Sequence, residues 1–223
     1  MEKYSRSDPP GQIAFPIHRA GYPLIFGSAF VTLILALLGL TVLTLIGLIA
    51  TLFICAFFRD PDRLIPERQN VVVSPADGKI IFVGNVGDSP FDLGDSLKIS
   101  IFMSVFNVHV NRIPSAGRIK DIDYYPGKFF SANLDKASKQ NEHNALLLET
   151  ENGKDICFVQ IAGLIARRII CYVLPEEQVV RGQRFGIICF GSRLDVYLPT
   201  DSDIEVAVGD EVKAGTSILG QLH

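Results

Sequence analysis

Charge of one sign is nowhere concentrated in this chain of 223 residues: 21 Lys and Arg stand against 24 Asp and Glu, a formal net charge of −3. A nucleic-acid partner gains no support from that balance. Cysteine is scarce, with four residues (Cys55, Cys157, Cys171 and Cys189) and no C-x-x-C spacing. A disulfide framework is therefore not expected; the four read as reduced thiols in a cytosol-facing protein. Cys55 lies in an apolar segment, and the other three lie in strand-like runs, where cysteine serves as a small buried hydrophobe. The four histidines, His18, His109, His143 and His223, are dispersed without ligand spacing, so no metal is expected. A small-residue cleavage site is also missing after the one long apolar stretch, which far exceeds the apolar region of a secretory signal.

That stretch is what the chain has in excess. From Tyr22 to Phe58 there is no charged residue, and Leu, Ile, Val, Phe and Ala dominate. About 20 helical residues cross the hydrocarbon core of a bilayer. This segment would reach about 55 Å as one straight helix at 1.5 Å per residue, which is too long for one span. Two short spans turning near Gly39-Leu40-Thr41 fit, as does a shallow re-entrant hairpin; a buried helix pair in a soluble protein is the bland alternative. His18 and Arg19 precede the segment, and Arg59, Arg63 and Arg68 follow it. Positive residues on both flanks favour keeping both ends cytoplasmic. The expected organisation is a cytoplasmic segment 1–21, a membrane-associated segment 22–58 and a β-rich domain 59–223.

After Arg59-Asp60-Pro61 the pattern becomes β. Val71–Val73, Lys79–Val83, Leu97–Phe102, Ala145–Thr150, Asp155–Ile161, Ile169–Val173 and Gly186–Phe190 are short apolar or β-branched runs punctuated by Gly, Pro, Asp and Asn. Residues 131–144 are polar and read as a loop with a helical turn. The tail Val206–Gly220 and the stretch Glu177–Ile188 each repeat a hydrophobic pair, a glycine turn and a strand. The expected fold is mainly β (α+β), with hammerhead or barrel-sandwich-like halves preceded by a helical membrane hairpin.

Three motifs carry chemistry. Ser-Pro-Ala-Asp-Gly spans Ser74 to Gly78. Met-Ser-Val-Phe-Asn-Val-His-Val-Asn-Arg-Ile-Pro spans Met103 to Pro114, and Phe-Gly-Ser-Arg spans Phe190 to Arg193. Singly, each has a structural reading: an Asp-Gly turn at Asp77, a satisfied core histidine at His109, a turn or bulge at Gly191-Ser192. In this order, they resemble the phosphatidylserine decarboxylases, in their short, membrane-associated bacterial form, and the resemblance runs from about Ile17 to the C-terminus.

That resemblance implies a self-processing lyase. The chain would cut itself between Gly191 and Ser192 and convert Ser192 to a pyruvoyl group. That group condenses with the substrate amine as a Schiff base and draws off the electrons left when carbon dioxide departs. The products would be a large chain, 1–191, and a small pyruvoyl chain, 192–223, joined as a heterodimer that a higher oligomer could extend. Asp77 would supply the carboxylate of the processing site and His109 the base. Longer members of the family carry His-x-x-His-x-Pro, with the base attributed to the second histidine. Here Arg112 holds that second position, and an arginine cannot take a proton. Arg112, Arg167 and Arg168 are candidates for the substrate phosphate or carboxylate. The substrate would be phosphatidylserine in the cell membrane, met from the cytoplasmic side, and the product phosphatidylethanolamine. A serine ether lipid of archaeal type presents the same headgroup. Asp135-Lys136-Ala137 offers another class of reading, a lipoyl- or biotinyl-type carrier, as does a membrane-anchored β-sandwich adaptor.

Overall fold

The computed structural model describes residues 16–128, 140–163, 168–189 and 191–223, with the backbone of Tyr4 and Ser5. Asp135-Lys136-Ala137 and Arg167 lie outside the described residues. The chain forms two compact units, Gly11–Asp62 and a second made of Met1–Pro10 with Arg63–His223.

The first unit is a helical hairpin. Helix α1 (Tyr22–Leu37) begins with a proline in its first turn, and α2 (Thr41–Phe57) follows after a turn at Gly39. The turn falls where the uncharged run was expected to reverse. Thr32 and Thr51 approach across the hairpin at 3.4 Å, each hydroxyl also donating to a carbonyl one turn back, Ser28 and Gly47. Below the helices, the chain closes through His18 N–H to the Phe58 carbonyl and Asp60 N–H to the Pro16 carbonyl, both 2.8 Å. No α1 side chain is buried, although α1 is strongly apolar. Arg19–Leu37, 19 residues with mean hydropathy 1.9, is long and apolar enough to cross a membrane, while Thr41–Phe57 is shorter.

The second unit is built of strands. In chain order these are β1 (Tyr4–Ser5), β2 (Ile65–Pro66), β3 (Val71–Val73), β4 (Gly78–Val86), β5 (Ser96–Met103), β6 (Val110–Arg112), β7 (Gly117–Tyr125) and β8 (His143–Thr150). Then come β9 (Asp155–Ala162), β10 (Ile169–Cys171), β11 (Gln178–Val179), β12 (Arg184–Ile188), β13 (Ser192–Pro199), β14 (Asp203–Ile204), β15 (Glu211–Val212) and β16 (Ile218–Gln221). The main sheet has eight strands in the order β11-β7-β8-β9-β13-β5-β4-β15, and two three-stranded sheets, β10-β12-β6 and β14-β16-β3, accompany it. The fold is thus mainly β with an N-terminal helical hairpin, as the sequence implied.

Strand β13 lies in the middle of the main sheet. It pairs along its length with β5, from Ser192↔Met103 to Pro199↔Ser96, and with β9, from Ser192↔Ala162 to Tyr197↔Cys157. Side chains alternate along it. Ser192, Leu194, Val196 and Leu198 face the main core, where Phe158 meets Phe185 edge to face. Arg193, Asp195 and Tyr197 face the other way. On that second face Asp195, fully buried, receives both forks of Arg193 at 2.6 and 2.8 Å and the Lys98 ammonium at 3.0 Å.

Candidate active site

Ser192 opens β13 just beyond the three-residue connection from β12, so the Gly191–Ser192 peptide lies where the chain passes from a small sheet to the large one. Beside that connection runs β6, held by Ile187↔Val110 and by Ile188 N–H to the His109 carbonyl. This brings His109 to Gly191, one peptide short of the Gly191–Ser192 bond. The Gly191 N–H points at His109 Nε2, 3.4 Å away, and His109 Nδ1 lies 3.0 Å from the Asn107 carbonyl. A carbonyl only accepts and an amide N–H only donates, so neutral His109 carries its proton on Nδ1 and leaves Nε2 basic. The imidazole is fully buried.

Gly191 itself has φ +69, left-handed backbone that side chains rarely tolerate, although a Cβ there would meet nothing within 4 Å. Conformation, not space, requires the glycine. Its carbonyl accepts from the Gly163 N–H at 3.1 Å. The Ser192 hydroxyl, fully buried, contacts the Met103 thioether at 3.6 Å and makes no hydrogen bond to His109. Met103 Sδ also faces Asn111 Nδ2 at 3.7 Å. From Asn111 a buried amide chain continues: Gln160 Nε2 donates to Asn111 Oδ1 at 2.9 Å, and Asn144 Nδ2 to Gln160 Oε1 at 3.1 Å. Met103, Asn111 and Gly163 were not singled out from the sequence; Asn111 sits inside the histidine motif, and its burial was the one signal missing.

Asp77 is placed close by but not on His109. Arg112 N–H bonds to the Pro75 carbonyl, which lays the Ser74–Gly78 turn along β6. The Asp77 carboxylate takes Arg63 Nη2 at 2.7 Å and the Ala214 N–H at 2.8 Å, and no hydrogen bond joins it to His109. Gly78 follows because a Cβ there would run into the Phe102 carbonyl. Asp77 and Asn107, together with Lys79, Ser104 and Lys213, line a cavity of about 370 Å³. A larger cavity of about 640 Å³, lined by Lys98, His143 and Tyr197 among others, belongs to the face of β13 opposite the Ser192 side chain.

The arginines separate. Arg112 is buried and donates to the Gly182 carbonyl at 2.8 Å. Arg168 is exposed and its carbonyl accepts from Cys189 N–H, two residues before Gly191. Burial pushes the Cys189 thiol up in pKa, while the positive charge of Arg168 pulls the other way. Among the described residues no cluster of His, Cys, Asp or Glu could hold a metal ion.

A buried serine behind a left-handed glycine, with a basic imidazole nitrogen at the glycine N–H, suits acyl transfer within the chain's own backbone. Comparison with known proteins gives this arrangement its family. The family model of phosphatidylserine decarboxylase matches residues 50–220. The phosphatidylserine decarboxylase proenzyme of Desulfotalea psychrophila (strain LSv54 / DSM 12343) is 51% identical over 207 residues, covering 93% of this chain and 97% of that one. The proenzymes of Geotalea uraniireducens (strain Rf4) and Nitrosomonas europaea (strain ATCC 19718 / CIP 103999 / KCTC 2705 / NBRC 14298) are 51% and 47% identical over 207 residues, again 93% of this chain. The chain belongs to the phosphatidylserine decarboxylase family.

Proposed function

We propose that this chain decarboxylates phosphatidylserine to phosphatidylethanolamine, on a pyruvoyl group that it makes from its own Ser192. The observation that carries the reading is the Gly191–Ser192 junction: left-handed at the glycine, whose own N–H meets His109 Nε2, and buried at the serine. In maturation the Ser192 hydroxyl turns from Met103 onto the Gly191 carbonyl carbon and gives its proton to His109. The peptide C–N bond breaks, and an ester joins Gly191 to Ser192 Oγ. Loss of the residue-192 α-proton and of the Gly191 carboxylate leaves dehydroalanine, which takes up water and releases ammonia to become pyruvoyl.

The surroundings fit that product. A pyruvoyl group ends in a methyl where serine has a hydroxymethyl, and the Met103 thioether is a soft, weakly accepting neighbour that suits a methyl. When present, the group supplies a ketone for the substrate amine and an electron sink for the carbanion left by carbon dioxide. His109, held in one tautomer by Asn107, returns a proton to the α-carbon. Arg168 and the lysines of the Asp77 cavity, Lys79 and Lys213, offer positive charge to the phosphodiester and carboxylate; the roles foreseen for Arg112 and Arg167 remain part of the proposal.

After cleavage 192–223 stays with 1–191 as a heterodimer, because β13 is bonded on both edges, β15 to β4 and β16 to β3. Asp77, which accepts from Ala214, is a further tie between the two chains. The hairpin 22–58 anchors the protein to the cell membrane with the β-rich domain 59–223 on the cytoplasmic side. The substrate never leaves the bilayer, so the enzyme must work at the interface.

Intact mass of the purified protein under denaturing conditions tests the reading. Two chains split between Gly191 and Ser192 are expected, the smaller lighter than a serine-initiated chain. Ser192→Ala should stay whole and inactive; an uncut Ser192→Ala protein that still decarboxylates the lipid overturns the mechanism.

A further inference from the structure

The carbonyl that self-cleavage must attack already has a hydrogen-bond donor built into the sheet. Gly163 follows the last residue of β9, Ala162, which is the register partner of Ser192. The ladder therefore delivers the Gly163 N–H to the Gly191 carbonyl oxygen, 3.1 Å away. Both paired residues, Ala162 and Ser192, are fully buried, and Gly191 itself is half-buried.

We infer that the Gly163 amide is the oxyanion donor of the maturation reaction, an inference that rests on the self-cleavage proposed above. As Ser192 Oγ bonds to the Gly191 carbonyl carbon, the π pair of the C=O moves onto oxygen, and the Oγ proton passes to His109 Nε2. The new negative charge appears on the atom that Gly163 already faces. When that pair returns, the C–N bond breaks, and the nitrogen of residue 192 takes a proton. In the elimination that follows, the same N–H faces the Gly191 carboxylate as it departs with the Cβ–Oγ bonding pair. A donor fixed before the reaction needs no reorganisation during it, which is what makes such groups effective. An ordinary rung of the ladder only holds two strands together. This one also contacts the reacting oxygen, because the cleavage peptide sits at the first position of β13. Its donor is a backbone amide, so any residue except proline can supply it.

The test compares Gly163→Ala with Gly163→Pro. Alanine keeps the N–H, whereas proline removes it. A time course of the freshly synthesised chain on denaturing gels should show Gly163→Ala maturing at the unsubstituted rate. Gly163→Pro should be slower by on the order of 10²–10³-fold, the usual loss of one such donor. If the proline ring prevents folding, glycolic acid at position 163, introduced by nonsense suppression, replaces the amide by an ester with no added bulk and should give the same loss. A folded variant without the N–H that matures at full rate overturns the inference. Ser192→Ala separates the two claims. If Ser192→Ala still breaks at 191/192, self-cleavage itself falls; if it stays whole while the variant without the N–H matures normally, only the role of Gly163 falls.

Discussion

The hydroxyl of Ser192 rests on the thioether of Met103, 3.6 Å from Oγ to Sδ, and not on the imidazole of His109. Residues 103 and 192 are register partners across β5 and β13, so the two side chains stand on the same face of the sheet. The Ser192 hydroxyl thus rests on a weak acceptor and makes no hydrogen bond to His109.

Met103→Leu tests that relationship. Leucine nearly conserves the volume, and such exchanges usually cost under about 1.5 kcal/mol. It removes the acceptor, which raises the resting precursor relative to the state in which Oγ meets the Gly191 carbonyl. A weak hydrogen bond of about 0.5–1 kcal/mol corresponds to cleavage that is roughly 2–5-fold faster, read from the same gel time course. Slower or unchanged cleavage in a folded Met103→Leu protein would show that the thioether does not restrain the serine.

His109→Ala removes the imidazole nitrogen that meets the Gly191 N–H, next to the cleavage peptide. Loss of a general base costs typically 10²–10⁴-fold, so the chain should remain largely uncut over hours. Prompt cleavage would remove His109 from the maturation step.

How much of this was legible in the sequence depends on the kind of group. The helical hairpin was readable because an uncharged run interrupted by Gly39 admits few other structures. Most of the strands were readable from their β-branched runs. β7 was not: its residues mix Ile with Lys and Asp, and a register shift between Ile119 and Asp121 breaks the alternation that would betray it. Ser192 and His109 stood out as residue types in a pattern. The Asn107 carbonyl and the Gly163 amide could not, because every residue has such groups and only long-range pairing decides which ones meet. Asp77 shows the same limit. It was expected to orient the base, whereas its hydrogen bonds go to Arg63 and to Ala214, 137 positions away in the chain.

Asp77→Asn separates the charge of that residue from its hydrogen bond. The amide oxygen can still accept from Ala214, but Arg63 loses its ionic partner. If the carboxylate serves maturation through the field in the cavity it shares with Asn107, cleavage slows while the melting temperature changes little. A drop in stability with normal cleavage would make Asp77 a structural tie only.

Asp195 lies between two cations, Arg193 and Lys98, and is itself fully buried. Asp195→Asn would remove the carboxylate that Arg193 and Lys98 both face, next to the first residues of the central strand. Breaking a buried pair from one side costs about 3–5 kcal/mol, enough to threaten a domain of ordinary stability. Denaturant titration of the purified variant should show that loss, and a midpoint close to the unsubstituted protein would mean that solvent reaches the pair.

On the same face of the sheet, the Cys157 thiol and the Tyr197 phenol are both pushed up in pKa, first by burial and then by the Asp195 carboxylate. Each is neutral when protonated, so a raised folded pKa means that the folded state resists ionisation. In the unfolded chain the thiol ionises near 9.0 and the phenol near 10.0. Their contribution to stability is therefore complete below about pH 9 and declines as the pH rises from there towards the folded values. Denaturant midpoints of detergent-solubilised protein should accordingly be flat from pH 7.5 to about 8.5 and fall above it. Tyr197→Phe keeps the ring under Lys98, which lies 5.4 Å from its centroid, and removes the ionisable oxygen. Its curve should fall less steeply above pH 10. Superimposable curves for the two proteins would mean that Tyr197 ionises as readily folded as unfolded, and that this face of β13 is open to water.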